Sequence, residues 1–260
     1  MLRRLPVPRE RLLPNGRVDV LRQVGLFGGA YLLYRLVEGA VVNNGAVAYT
    51  HATDVISFER ALHVFVEPNV QAWAMGSHLL IEVATYIYIN AQTTILIGLL
   101  AYLYLVHNRS YYFVRNMLFA AMAIGLIGYA FFPTMPPRLL PNWGFVDTTS
   151  YITGGANTSP VSMAFFNPYA AVPSMHVAFA VMLGWPLARL ARSYVVRAWW
   201  IFWPVLITFV TVITANHFFL DAVLGLATAG VAAIVARRLA RVRPHVWAFA
   251  DPSAARVAGS

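Results

Sequence analysis

The arginines of this chain alternate with its apolar runs, and that alternation restricts the fold more than any other feature. All nineteen basic Lys/Arg positions are Arg. Six of them, Arg3, Arg4, Arg9, Arg11, Arg17 and Arg22, come before the bulk of the first apolar run. Arg109 and Arg115 bracket a short loop, Arg189, Arg192 and Arg197 crowd another, and Arg237, Arg238, Arg241, Arg243 and Arg256 mark the tail. Between these clusters lie apolar windows at about 21–42, 86–106, 116–132, 175–190, 198–215 and 218–236. About 20 helical residues cross a hydrocarbon core of about 30 Å, so the windows predict six transmembrane helices. Basic loops are retained in the cytoplasm. That rule puts both termini, 107–115 and 191–197 inside, and 43–85 and 133–174 outside.

Composition points the same way. The 260 residues are 59% hydrophobic and 11% charged, too few charges to cover a soluble domain of this size. The formal charge of +9 follows from the basic loops and calls for no nucleic-acid partner. With no cysteine, the chain has no disulfide, thiolate metal ligand or cysteine nucleophile. The expected fold is an all-α integral membrane protein of the plasma membrane. It divides into a cytoplasmic Arg-rich segment (1–20), a single six-helix catalytic domain (21–240) and a cytoplasmic tail (241–260).

Within the first run, "VGLFGGAYLLYRLVEGAVV", Arg35 and Glu38 are three residues apart and can pair on one helix face, which lowers the cost of burying them. The run lacks a small-residue cleavage pattern and reads as a retained signal anchor. "SFERALHVFVEPNVQAW" mixes apolar and charged positions at helical spacing, as an interfacial helix would, until Pro68 interrupts it. His78, Glu82, Tyr86 and Asn90 follow at every fourth residue and form one helical stripe. That stripe reads either as a bundle face whose polar groups satisfy one another or as part of a polar substrate groove. Segment 133–174, rich in Pro, Gly and aromatics, is long for a connection and reads as a folded lid.

Polar groups then converge at one level of the membrane. Arg138 follows the third run, His176 opens the fourth, and His217 with Asp221 opens the sixth. In "AVPSMHVAFA", Pro173-Ser174 is a helix-start signal with Ser174 as candidate N-cap, and first-turn N–H groups suit a phosphate oxygen. In "TANHFFLDAVLG", His217 and Asp221 share a helix face. The carboxylate can accept from one ring nitrogen and leave the other aimed at substrate. Two histidines on different helices, one oriented by a carboxylate, suit covalent phosphoryl transfer. One attacks phosphorus, the other protonates the leaving oxygen, and Arg138 neutralises the phosphoryl oxygens. A zinc site on the same residues is the rival, but no HExxH pattern accompanies it.

"PPR" ending at Arg138, "PSMH" ending at His176 and "HFFLD" from His217 to Asp221 resemble the three signature motifs of the type 2 phosphatidic acid phosphatase superfamily. "FFPTMPPRLLP", "GFVD" and "TANHFFLDAVLG" are most similar to the branch that contains inositol phosphorylceramide synthases and their bacterial relatives. The resemblance implies a six-helix lipid-phosphate enzyme with an outward-facing site that needs no metal and no cofactor. It makes His217 the nucleophile, Asp221 its orienting group and His176 the general acid and later base. Arg138, Ser174 and Met175 become the phosphate-binding set. The chain departs from the family pattern at Phe131, where a Lys is usual, at Thr211, where an Arg is usual, and at Met175, where a Gly is usual.

A phosphohistidine can be resolved by a polyol or lipid alcohol, giving a transferase, or by water, giving a phosphatase of phosphatidic acid, phosphatidylglycerol phosphate or polyprenyl phosphates. The donor expected is a phospholipid or polyprenyl phosphate. The long segment 133–174 and the polar stripe favour transfer, with His78, Glu82, Tyr86, Asn90, Asp147, Thr211 and Asn216 as candidates for an acceptor or headgroup pocket. A lipid transporter or a structural membrane subunit would not need the carboxylate-oriented histidine.

Overall fold

The computed structural model describes residues 14–40, 44–153 and 167–243. They are mostly helical, and no sheet forms among them; Thr134 and Ala170 make an isolated bridge. Helix α1 spans Gly16–Ala40, α2 Gly45–Ala61, α3 Glu67–Met75, α4 His78–Asn90 and α5 Leu96–Val106. After them come α6 (Asn108–Phe131), α7 (Thr148–Thr153), α8 (Met175–Leu190), α9 (Tyr194–Ile213) and α10 (Phe219–Val242). The tail and N-terminal expectations for 1–13 and 244–260, and the lid expectation for 154–166, lie outside the described residues.

Three of these helices, α6, α9 and α10, are long and apolar enough to cross a membrane, and a fourth span results if α4 and α5 are counted as one broken helix. This corrects the expectation of six. The first run fails because its apolar character is diluted by Gly25, Gly28, Gly29, Tyr31 and Tyr34 and because Arg35 and Glu38 sit inside it. The window at 175–190 forms a helix of only 16 residues, about 24 Å at 1.5 Å per residue. The window at 86–106 is broken by a π-type turn at Ala91–Ile95, where the two arms meet at 52°.

Helix α8 is nonetheless the centre of the bundle, packed against α6, α9 and α10. Ser174 caps it, its hydroxyl accepting from Val177 N at 3.5 Å. Close approach depends on glycine. A Cβ at Gly225 of α10 would lie 2.4 Å from the Ser174 carbonyl oxygen, and one at Gly128 of α6 would lie 2.7 Å from Pro173 Cδ. Both positions hold the start of α8 tightly against its neighbours.

The segment before α3 also differs from expectation. Pro68 does not break a helix; it stands in the first turn of α3, where its missing N–H would have no partner anyway. The residues after α6 fold back over this region. Arg138 N donates to Ala215 O at 2.7 Å, Thr134 N to Tyr169 O at 2.8 Å, and the Gln71 amide pairs with both backbone groups of Val146 at 2.8 and 3.1 Å.

Gly225→Ala is expected to destabilise the protein by about 1–3 kcal/mol through overpacking. Gly230→Ala, on the same helix with nothing within 4 Å of the added carbon, is expected to be neutral or stabilising by up to about 1 kcal/mol. Thermal unfolding of the two variants in detergent checks this, and equal midpoints would contradict the close α8–α10 contact.

Candidate active site

The turn from α9 into α10 presents the histidine of "TANHFFLD". Ala215 adopts the left-handed region at φ 52°, reversing the chain in one residue. The Thr211 carbonyl then accepts from Asn216 N at 2.9 Å and His217 N at 3.2 Å. Thr211 thus serves through its backbone, while its hydroxyl donates to Thr208 O at 2.9 Å.

One oxygen of Asp221 makes two contacts. Oδ2 lies 3.3 Å from His217 Nδ1 and accepts from Phe218 N at 2.9 Å. Asp221 is wholly buried and His217 nearly so. Burial pushes the His217 ring down to about 4, with the Arg138 charge acting the same way and the Ala171 carbonyl opposing. His217 is therefore neutral near pH 7.

His176, at the start of α8, faces this pair. The two imidazole centroids are 5.7 Å apart and tilted by 60°, and His176 stacks on Tyr88 at 4.2 Å. Arg138 arrives from the turn after α6. Its Nε donates to Asn216 Oδ1 at 3.0 Å and its Nη1 to Asp147 Oδ2 at 3.3 Å. Asn216 is held in turn by the hydroxyls of Thr149 and Thr214, each at 3.0 Å, and Asp147 by the Ser150 hydroxyl at 2.7 Å.

Arg138, Met175, His176, Asn216 and His217 line a polar cavity of ≈ 60 Å³. Asp147 and Asp221 stand one contact behind it, as does Ser174, whose N–H donates to Asp221 O at 3.0 Å. A larger cleft of ≈ 430 Å³ between α1 and α5 is almost wholly apolar and contains none of these groups. Among the described residues no three His, Asp or Glu side chains gather where they could hold a metal ion.

The stripe of His78, Glu82, Tyr86 and Asn90 does not line the cavity. His78, Glu82 and Tyr86 are exposed and Asn90 is half-buried, with His78 Nδ1 3.3 Å from Glu82 Oε1 and Tyr86 69% accessible. Helix α4 buries Ile81, Ala84 and Thr85 instead, and the next turn of that face brings Tyr88 onto His176. Sequence reasoning missed Tyr88, Tyr34, Tyr129 and Asn167 as lining residues. It recognised Arg35 and Glu38 as an ion pair, at 2.8 Å, but not that the pair forms a wall of this cavity.

A family model, described as the PAP2 superfamily, matches residues 53–235. The chain belongs to the PAP2 superfamily. No curated protein and no solved structure matches it. The PAP2 match begins within α2, so α1, with Tyr34, Arg35 and Glu38, completes the cavity from outside the family region. The fold and this membership fit the handling of lipid phosphates by a membrane-associated protein.

Asp221→Asn replaces the carboxyl beside His217 with one amide that must serve both Phe218 N and the ring. Turnover of a lipid phosphate donor is expected to slow by at least about 10²-fold. The circular dichroism of the helices is expected to stay the same. Unchanged turnover would remove Asp221 from the orienting role expected of it.

Proposed function

We propose that this protein is a lipid phosphotransferase that works through a phosphohistidine on His217. The observation that carries the reading is the His217–Asp221 pair facing His176 across a cavity walled by Arg138. With Nδ1 turned to Asp221, Nε2 of His217 attacks phosphorus. The bond from phosphorus to the leaving oxygen breaks, and His176 supplies the proton that oxygen takes up. In the second half, an acceptor hydroxyl gives its proton to His176 and attacks phosphorus, and the N–P bond breaks to restore His217. Arg138 stabilises charge on the phosphoryl oxygens in both halves. No step calls for a metal or a cofactor.

The departures at Phe131 and Thr211 support the branch related to inositol phosphorylceramide synthases, with a phospholipid donor and a polyol or lipid alcohol acceptor. Arg35, entering from α1, supplies a second cation where the family's usual Lys and Arg are missing. Hydrolysis is the second reading, and one observation favours it: a cavity of ≈ 60 Å³ holds water more readily than a polyol.

The arginine pattern supports a site on the extracytoplasmic side. Arg109 begins α6, Arg189 ends α8, Arg197 lies in the first turn of α9, and Arg237, Arg238 and Arg241 close α10. Each lies at the end of its helix remote from the histidines. The basic ends remain in the cytoplasm, and the site faces out.

The test uses right-side-out membrane vesicles and p-nitrophenyl phosphate, which is impermeant and carries a good leaving group. Wild type is expected to release p-nitrophenolate without detergent. His176→Ala is expected to lose about 10²–10⁴-fold on a lipid phosphomonoester but far less in first-turnover release of p-nitrophenolate. Equal losses on both donors would contradict His176 as the proton donor, and activity confined to inverted vesicles would contradict the orientation. Transfer of phosphate to an added polyol, against release of inorganic phosphate, separates the two readings.

A further inference from the structure

Three consecutive backbone N–H groups open α10, and each meets a carboxylate oxygen. Phe218 N donates to Asp221 Oδ2 at 2.9 Å, Phe219 N to Glu67 Oε1 at 3.0 Å and Leu220 N to Glu59 Oε1 at 2.7 Å. The last two acceptors belong to α3 and α2, 152 and 161 residues away in sequence. Phe218 has no side-chain oxygen or nitrogen with which to cap its own helix, so the cap is assembled from three parts of the chain. Glu59 is 1% exposed and Glu67 wholly buried.

The second oxygens of these two glutamates identify the state of the pair. No N–H or O–H of the described residues reaches Glu59 Oε2 or Glu67 Oε2, and the two acids are seated side by side on adjacent N–H groups of one helical turn. Both cannot be ionised there without placing like charges together away from water. One proton held between them would give each Oε2 a partner and leave the pair with one negative charge at the positive end of α10. Burial first, and Glu67 next, push the Glu59 carboxyl up to about 9, and Asp221 adds to the effect. Arg60, the neighbouring cation on α2, turns its guanidinium onto Trp143 and Phe65, 4.8 and 5.2 Å from the ring centroids.

We propose that Glu59 and Glu67 are positioning residues that share one proton, seat the first turn of α10, and through it hold His217 against Asp221 and opposite His176. The inference rests on His217 being the nucleophile proposed above. The seated N–H groups belong to the two residues directly after Phe218, so a shift of that turn moves the imidazole itself. A misplacement of about 1 Å at a reacting group costs on the order of 10²-fold in rate.

The proposal sets a direction with pH. The folded-state value of Glu59 lies above its ordinary 4.5, so its contribution to stability is complete below about 4.5 and is lost as pH rises toward about 9. Glu59→Gln keeps an oxygen for Leu220 N and brings an N–H in place of the shared proton. Glu59→Ala brings neither.

The experiment measures thermal midpoints and first-turnover rates of full-length wild type, Glu59→Gln, Glu59→Ala and Glu67→Gln in detergent from pH 5 to 9.5. Wild type is expected to lose midpoint over the whole interval from pH 5 up to about 9, and to lose rate on its alkaline side, where the shared proton leaves. Each Gln variant is expected to stay within about threefold of the wild-type rate at neutral pH and to lose most of that alkaline slope. Glu59→Ala is expected to fall by about 10²-fold. Should Glu59→Ala fail to fold, the two Gln variants alone decide. A Gln variant as impaired as Glu59→Ala, or one that keeps the wild-type alkaline slope, overturns the proposal. The midpoints do not depend on which histidine is phosphorylated. Flattened midpoints with no phosphate on His217 would therefore refute the proposed function and the positioning of the nucleophile, and leave the shared proton as a structural feature.

Discussion

The first turn of α10 is held by carboxylates, and the rest of the site depends on that capture. A helix that starts inside a greasy bundle has backbone N–H groups that water cannot reach, and each must find an acceptor within the protein. Asp221 supplies one from within the helix, and Glu67 and Glu59 supply the next two from α3 and α2. The same turn is tied to α8, because Ser174 N donates to the Asp221 carbonyl and Gly225 lets the two backbones meet. His176 and His217 come within 5.7 Å as a consequence of these contacts.

Charge is used sparingly around the two rings. His217 is kept neutral by burial, so one of its ring nitrogens carries a lone pair. Arg138 is presented by Asn216 and Asp147, which fix its planar guanidinium from two sides. Asn216 and His217 are adjacent in the chain, so the cation and the imidazole are set by one short turn. Arg35 and Glu38 bring a further ion pair to the cavity from α1, beyond the part of the chain that the PAP2 family model covers.

Much of this site is legible in the chain because its signals are local. His217 and Asp221 lie one helical turn apart, and Pro173-Ser174 announces the start of a helix that carries His176. The number of spans is not legible in the same way. A hydropathy window does not register that α8 is only 16 residues long, nor the break at Ala91–Ile95. The stripe from His78 to Asn90 lies off the cavity for a related reason. A strict four-residue spacing drifts around a helix of 3.6 residues per turn, and α4 turns Ile81, Ala84, Thr85 and Tyr88 inward instead. Glu59 and Glu67 look in sequence like the charges of an interfacial helix. Their partners are more than 150 residues distant, and only the fold brings them together.

The most direct measurement is to locate the phosphoryl group on the protein. The purified protein is reacted with a lipid phosphate donor, quenched under mildly alkaline conditions in which phosphohistidine survives, and mapped by mass spectrometry. The phosphate is expected on His217 and is expected to be missing from His217→Ala. Phosphate on His176, or undiminished turnover by His217→Ala, would contradict the roles assigned to the two histidines.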